Sequence, residues 1–291
     1  MSNIGAVIIL YNPDIEIVMK NVHVLTSQVE HIVLVDNSDD LLQLDSFPSN
    51  VTYISYQKNL GIAEAQNLGI DKLMSFQSEY IILFDQDSDL ECYDVKKITV
   101  SFKNAAVNNL KLACVGPRIK DIFSNSEVKP LIQKEFERIG SLVLCSQIIA
   151  SGKMLSVEAL KQIGLMESEL FIDGVDHEWC WRARKLGFDV AINDDVLMEH
   201  TLGDARYKCL GITFKVASPI RLYYQFRNIL LLSRRNYVPL YWKVRNIISI
   251  PIRMIVFGVI HPKSSEYLGY MMLGLKDGLK KSTGKINKLP N

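Results

Sequence analysis

The chain has 291 residues, 48% hydrophobic and 22% charged, which is ample for a packed core and excludes a disordered or low-complexity protein. Its formal net charge is +1, but from Arg234 to the end 11 Lys/Arg face 2 Asp/Glu, so that tail carries +9 and the remainder −8. The basic residues of the tail are interspersed with aliphatics, which favours an anionic membrane surface over nucleic acid as partner.

Met1-Ser2-Asn3 leads directly into Gly5-Ala6-Val7-Ile8-Ile9-Leu10 without a basic n-region or a small-residue cleavage pattern, so the expected location is the cytoplasm. That apolar run reads as a buried strand, followed by the turn signal Tyr11-Asn12-Pro13 and a weakly amphipathic helix from Asp14 to Gln28. A second strand, His31 to Val35, ends in Asp36-Asn37-Ser38-Asp39-Asp40. A third, Val51 to Ser55, precedes Asn59-Leu60-Gly61 and a helix from Ala63 to about Gln77. Strands alternating with helices imply a parallel sheet with crossover connections. The fourth strand, Tyr80-Ile81-Ile82-Leu83-Phe84, ends in Asp85-Gln86-Asp87.

In an open α/β sheet the carboxyl ends of the strands are where ligands bind. Asp85 and Asp87, one residue apart on extended backbone, share a face and can hold one hard divalent cation together with substrate phosphate oxygens. The competing reading is an ordinary polar surface turn. Beyond Asp87 the alternation weakens: a helix is expected near Asp94 to Asn109, a strand over Leu112 to Gly116, strand-like residues around Ser151-Gly152, and a helix over Val157 to Ile163.

Phe171-Ile172 reads as a strand, and Asp173 as the cap of a helix with Trp179, Ala183 and Leu186 on its apolar face. Asp176 and Glu178 then lie in the first turn. Acidic residues there complement the helix dipole, and in a walled cleft one of them could serve as general base. His200 ends the run Val196-Leu197-Met198-Glu199, far enough past Asp176 for one helix and one returning strand. The segment Asn246 to Ile260 is strongly apolar but contains Pro251 and Arg253, and is shorter than the roughly 20 residues of a spanning helix. It suits an anionic leaflet; a dimer interface or a core helix is the competing reading. Cys92, Cys114, Cys145, Cys180 and Cys209 show no Cys-x-x-Cys spacing, so reduced structural thiols are expected.

Over about residues 4 to 236 the chain resembles the inverting family 2 glycosyltransferases of the GT-A fold, and within them the bacterial rhamnosyltransferases. The resemblance rests on Asn59 to Ala63 with Asn67 to Ile70, Phe84 to Ser88, Phe171 to Arg182, His200, and Arg221 to Asn228. It implies a GT-A-like, Rossmann-related, mainly parallel α/β sheet flanked by helices. The implied glycosyltransferase domain covers residues 1–236, with a nucleotide-sugar half to about 115 and an acceptor half from about 116. A basic, helical, membrane-associating region follows at 237–291.

The resemblance further implies Asp176 as catalytic base, and Mg²⁺ or Mn²⁺ held by Asp85, Asp87 and His200. Donor contacts would come from Tyr11, Pro13, Asp36, Gly61, Asn67, Asp85, Gln86, Asp87 and Arg227. Gly152, Trp179 and Glu178 would lie at the acceptor. For Arg221 and Arg227 a place on a helix surface is the equal alternative. Gln86 departs from the frequent Asp-Asp-Asp form and matches the rhamnosyl subset. The implied reaction is transfer of L-rhamnose from dTDP-β-L-rhamnose to a lipid-linked saccharide, without nucleic acid, by a protein peripheral to the inner face of the membrane. Another hexose from a UDP-sugar is the alternative. A sugar-phosphate nucleotidyltransferase should carry a Gly-rich, basic triphosphate loop near its first strand, and Tyr11-Asn12-Pro13 does not supply one. A non-catalytic binding module would not need Asp176 and His200.

Overall fold

The computed structural model describes residues 2–42, 47–90, 93–121, 126–127, 135–200, 205–209, 212–260 and 264–290. The first half runs β1 (Ile4–Leu10), α1 (Ile15–Thr26), β2 (His31–Asp36), β3 (Val51–Ser55), α2 (Ile62–Ser75), β4 (Tyr80–Asp85), α3 (Val95–Val107) and β5 (Leu112–Asp121). Then follow β6 (Ser126–Glu127), β7 (Glu135–Ile139), β8 (Leu142–Cys145), β9 (Lys153–Ser156), α4 (Val157–Ile163), a 3₁₀ turn (Ser168–Leu170), α5 (Val175–Lys185) and β10 (Asp189–His200). The chain finishes with a hairpin of β11 (Ala205–Cys209) and β12 (Ile212–Val216), then α6 (Pro219–Ser233), α7 (Leu240–Ile255), a π turn (Val256–Ile260) and α8 (Ser264–Lys280).

The main sheet has the order β3-β2-β1-β4-β9-β5-β10-β8-β7, with β6 on β5. The four strands β3, β2, β1 and β4 are parallel, as their continuous apolar runs require. Further along the sheet is mixed: β9 runs antiparallel between β4 and β5, while β10 returns parallel to β5. Side chains alternate across it. Val7 and Ile9 of β1 face a core with α2, α4 and α5, whereas Ala6, Ile8 and Leu10 face one built on α1 and α3. The helix starts follow the polar punctuation of the sequence: Asp14 caps α1 through the Glu16 N–H, and Asp94 caps α3 through the Lys97 N–H.

The C-terminal helices pack on α6. Leu222 and Phe226 of α6 share a small core with Val256, Phe257, Tyr267 and Met271. Among the described residues no helix is long and apolar enough to cross a membrane. Helix α8 approaches α6 at Gly274, where a Cβ would stand 2.4 Å from the Tyr223 carbonyl oxygen. Replacing Gly by Ala in a helix normally gains about 1 kcal/mol, but here a backbone atom would have to move, and overpacking costs about 1 to 3 kcal/mol. Gly274→Ala should therefore lower the denaturant midpoint. Gly269→Ala on the same helix, whose new methyl would meet only the Pro290 side chain at 3.2 and 3.6 Å, should keep or raise it.

Candidate active site

Parallel pairing sets the ends of three strands at one edge: Leu10 lies opposite Asp36, and Ile9 opposite Asp85. Gln86 fastens that edge. Its Oε1 accepts the Tyr11 N–H at 2.6 Å and its Nε2 donates to the Tyr11 carbonyl at 3.1 Å. A carboxylate could make the first bond but not the second, so an amide at this position has a physical reason. From α1, the buried Asn21 amide donates to the carbonyls of Ser88, at 2.8 Å, and Gln86, at 3.4 Å. The hydroxyls of Ser88 and Ser151 meet at 2.6 Å. The turn is thus held from several sides while the Asp87 side chain stays exposed.

Asp36 is buried with both oxygens engaged, Oδ1 by the Ser38 N–H and Oδ2 by the Tyr53 hydroxyl. Burial, and then the Asp36 carboxylate, push the Tyr53 hydroxyl above its ordinary range. The next residues tie down the neighbouring loops. Ser38 Oγ accepts the Asn12 N–H beside the exposed Tyr11 and half-buried Pro13, and Asn37 bonds both the Leu60 N–H and the Asn59 side chain. Asn37, Ser38 and Asn59 were not among the expected site residues. Asn37 and Ser38 were signalled only as polar residues directly after a buried strand, and Asn59 only as part of the Asn59 to Ala63 motif.

Gly61 and Asn67 connect the two halves of the chain. Gly61 has φ +87°, and a Cβ on it would lie 2.6 Å from the Phe171 ring and 2.7 Å from the Phe171 oxygen. Only glycine fits both the conformation and the approach. The Asn67 amide accepts the Met166 N–H and donates to the Met166 carbonyl, both at 2.9 Å, and donates to Ser168 Oγ at 3.1 Å. Those bonds occupy Asn67 with backbone positioning, in place of the donor contact expected of it.

The segment held in this way turns through left-handed backbone at Phe171, Asp173 and Gly174, with φ of 64°, 65° and 90°. For the two non-glycine residues such geometry costs about 1 to 3 kcal/mol each. The cost is met by Asn228 of α6, whose side-chain N–H groups donate to the carbonyls of Leu170, Ile172 and Asp173 at 2.7 to 3.0 Å. Phe171 stacks on Tyr224 at 4.8 Å. The strand expected at Phe171-Ile172 is therefore a turn. Asp173 does not cap α5 either: Gly174 occupies that position, and Leu186 at the far end is exposed. Asp173 Oδ1 instead accepts from Arg221 at 3.3 Å and Gln225 at 3.4 Å, while Oδ2 is buried without a partner. Burial raises the Asp173 carboxyl above the usual range despite the Arg221 guanidinium.

Asp176 follows in the first turn of α5. Its Oδ1 accepts the His177 N–H at 3.0 Å, and Oδ2 makes no hydrogen bond among the described residues. Four other expected site residues have structural jobs. Trp179 is fully buried, donates to the Gly164 carbonyl at 2.9 Å, and lies under the buried Lys153 ammonium at 5.7 Å. Glu178, equally buried, is held by Arg182 at 2.9 Å and the Tyr237 hydroxyl at 2.7 Å, so neither side chain presents itself to an acceptor. Gly152 is buried, its N–H bonded to the Leu83 carbonyl and its oxygen to the Tyr93 hydroxyl. Arg227 is buried against Tyr223 and Tyr224 and donates to the carbonyls of Glu169, Leu170 and Gly284. A guanidinium so enclosed does not reach a diphosphate, which corrects the donor contact expected of it.

His200 is the last residue of β10, opposite Asp121 of β5; its side chain lies outside the described residues, as does Cys92. Cys114, Cys145 and Cys180 are buried free thiols, as expected. Among the described residues no group of three or more His, Cys, Asp or Glu is gathered for a metal ion. Asp85 and Asp87 carry hard carboxylate oxygens, the atom type that Mg²⁺ and Mn²⁺ prefer.

A partly parallel α/β sheet with an aspartate pair at the end of its fourth strand is an arrangement that fits the GT-A class of glycosyltransferases, and the comparisons bear this out. The fold is similar to GalNAc-T7 crystallised with UDP, GalNAc and Mn²⁺ (TM-score 0.57, 14% identity, 97% of this chain and 56% of that one). It is also similar to S. aureus TarS (TM-score 0.54, 12% identity, 94% and 49%), so the chain spans about half the length of these two structures. No family model matches the sequence. Curated relatives do: the chain is 35% identical over 297 residues to the dTDP-rhamnosyl transferase RfbF of Shigella flexneri, covering 97% of each. It is 22% identical to the low-salt glycan biosynthesis hexosyltransferase Agl10 of Haloferax volcanii, covering 99% of this chain and 95% of that protein. The chain belongs to the inverting family 2 glycosyltransferases of the GT-A fold, in their bacterial rhamnosyltransferase subset.

The raised Asp173 carboxyl has a stability consequence with a definite sign. A carboxyl whose folded pKa exceeds its unfolded one leaves the fold unpenalised below the unfolded value, and the penalty grows as pH rises through the folded value. Asp173→Asn should gain stability relative to wild type between pH 4 and pH 7, read as the change in the Tm difference. A relative loss over that interval would mean that the Arg221 bridge outweighs burial.

Proposed function

We propose that the protein transfers L-rhamnose from dTDP-β-L-rhamnose to a lipid-linked saccharide with inversion at the anomeric carbon, using Asp176 as general base. The observation that carries the donor is the 35% identity, over 97% of both chains, with a dTDP-rhamnosyl transferase. Mg²⁺ or Mn²⁺ bound at Asp85 and Asp87 would neutralise the charge that develops on the departing diphosphate. His200, at the end of β10, is the further ligand in this reading.

The chemistry left to the chain is proton removal and orientation. Asp176 accepts the proton of the acceptor hydroxyl through Oδ2, since Oδ1 is already anchored by the His177 N–H. The acceptor oxygen then forms its bond to the anomeric carbon as the bond to the diphosphate oxygen breaks, and the electron pair leaves with dTDP. Asp87, exposed on a turn fixed by Gln86, holds the donor side. The wall behind Asp176 is rigid, because buried Glu178 is tied to Arg182 and Tyr237. Burial and the Glu178 carboxylate push the Tyr237 hydroxyl up to about 12, so it remains a donor at neutral pH.

Wild-type enzyme should release dTDP from dTDP-rhamnose in preference to turning over UDP-glucose or UDP-galactose; the reverse preference would defeat the rhamnose assignment. Asp176→Asn should lower turnover by about 10² to 10⁴-fold while dTDP binding, followed by calorimetry with Mg²⁺, persists. Asp87→Asn should weaken both. Near wild-type transfer by Asp176→Asn would remove it from the mechanism.

The membrane is the proposed location of the acceptor. Leu240, Val244, Ile247, Ile248, Ile252 and Ile255 are exposed, and their spacing places them along one side of α7. The tail around this stripe carries +9. We expect Ile248→Asp and Ile252→Asp together to weaken sedimentation with anionic liposomes, and added salt to weaken it for wild type. Light scattering separates the alternative, since a wild-type dimer that these substitutions split, with no liposome binding, would identify a subunit interface.

A further inference from the structure

Past the end of α8 the chain doubles back instead of running out into solvent. The Lys281 N–H donates to the Gly278 carbonyl at 3.3 Å and the Ser282 N–H to the Asp277 carbonyl at 2.9 Å, the pair of bonds that reverses a chain at a helix end. Lys281 takes the left-handed backbone this requires, φ 61°, where glycine is the usual residue. Asp277 is fixed in turn, since its Oδ2 accepts the Tyr223 hydroxyl of α6 at 2.8 Å.

The reversed segment meets the turn that precedes Asp176. Gly284 donates its N–H to the Glu169 carbonyl at 2.7 Å, and its own carbonyl accepts from Arg227, the guanidinium that also donates to the carbonyls of Glu169 and Leu170. Asn228 serves the carbonyls of Leu170, Ile172 and Asp173 but not that of Glu169, so Gly284 and Arg227 complete the set. Two residues further on, the Ile286 N–H donates to the Tyr224 hydroxyl at 3.0 Å, and the Ile286 side chain packs against the cluster of Phe171, Tyr223 and Tyr224. Gly284 has φ +76°, yet a Cβ on it would meet nothing within 4 Å. Backbone conformation, not crowding, calls for glycine here.

We propose that segment 281–290 is a positioning element of the active site, in which the Gly284 clasp fixes the turn at Glu169 and thereby the placement of Asp176. It acts through the turn and not on substrate. The inference rests on the reading of Asp176 as general base, and it gives the basic tail a task at the site besides its attraction to a membrane. Left-handed backbone at Phe171 and Asp173 makes this turn the part of the site that most needs outside support. A base displaced by about 1 Å can lose on the order of 10²-fold in rate.

Hydrogen–deuterium exchange over residues 168–176 of the full chain reads the clasp, and dTDP release from dTDP-rhamnose, under the conditions of the donor comparison, reads its consequence. Gly284→Pro removes the N–H and forbids the positive φ. It should speed exchange in that stretch about fivefold and lower kcat about fivefold or more, the size of one lost hydrogen bond, with KM for dTDP-rhamnose unchanged. Gly284→Val keeps the N–H but resists positive φ, so it should fall between, and it carries the test should the proline variant not fold. Asn tolerates left-handed backbone, and Gly284→Asn should recover most of the turnover. Lys288→Ala, exposed on the same segment, should match wild type in both readouts. Unchanged exchange in the Pro and Val variants, faster exchange with wild-type kcat, or a loss carried by KM would overturn the proposal. Every arm keeps the wild-type base, so failure of the base reading shows separately, as an active Asp176→Asn variant.

Discussion

The parallel register of β1 with β2 and β4 is the constraint on which the remainder depends. It sets Asp36 opposite Leu10 and Asp85 opposite Ile9, so that three loops leave the sheet at one edge. Backbone pairing alone ends at the last strand residue. Gln86 continues it by one position, donating to and accepting from the Tyr11 main chain, and thereby fixes where Asp87 begins. A metal and diphosphate site needs its carboxylates held before the ligand arrives, because ordering them on binding would cost conformational entropy.

A second constraint comes from the far half of the chain. Gly61 and Asn67 at the start of α2 touch the turn that carries Asp173 and leads to Asp176. Asn228 and Arg227 of α6 grip the same turn from the other side through the carbonyls of Glu169 to Asp173. Left-handed backbone at Phe171 and Asp173 is tolerated because these amides and guanidinium groups leave the carbonyls no cheaper arrangement. The strand edge at Gln86 and the proposed base are thus both held by hydrogen bonds between distant parts of the chain, with α6 supporting the turn before Asp176 and α8 packed closely behind it.

Much of this was legible in the sequence where the signal is local. Apolar runs marked β1, β2 and β4 correctly, the first closed by a turn signal and the other two by carboxylates, and Asp14 and Asp94 marked the starts of their helices. The reading faltered where partners are distant in the chain. Trp179 and Glu178 looked like cleft residues beside Asp176, but helix periodicity cannot tell a buried carboxylate from an exposed one when its partner, Tyr237, lies 59 residues away. Arg227 failed for the same reason, as its acceptors are 57 and 58 residues distant. Asp173 had every local mark of a helix cap, and an ion pair with Arg221 prevailed. The antiparallel insertion of β9 between β4 and β5 was invisible, because four strand residues carry no record of their neighbours' direction.

A crystal soaked with dTDP and Mn²⁺ tests the central claim, that the edge fixed by Gln86 is the donor site. Anomalous density should lie within about 2.0 to 2.3 Å of Asp87 or Asp85 oxygens and of both phosphates, with Gln86 still bonded to Tyr11. Nucleotide density elsewhere on the molecule, with none at this edge, would contradict it.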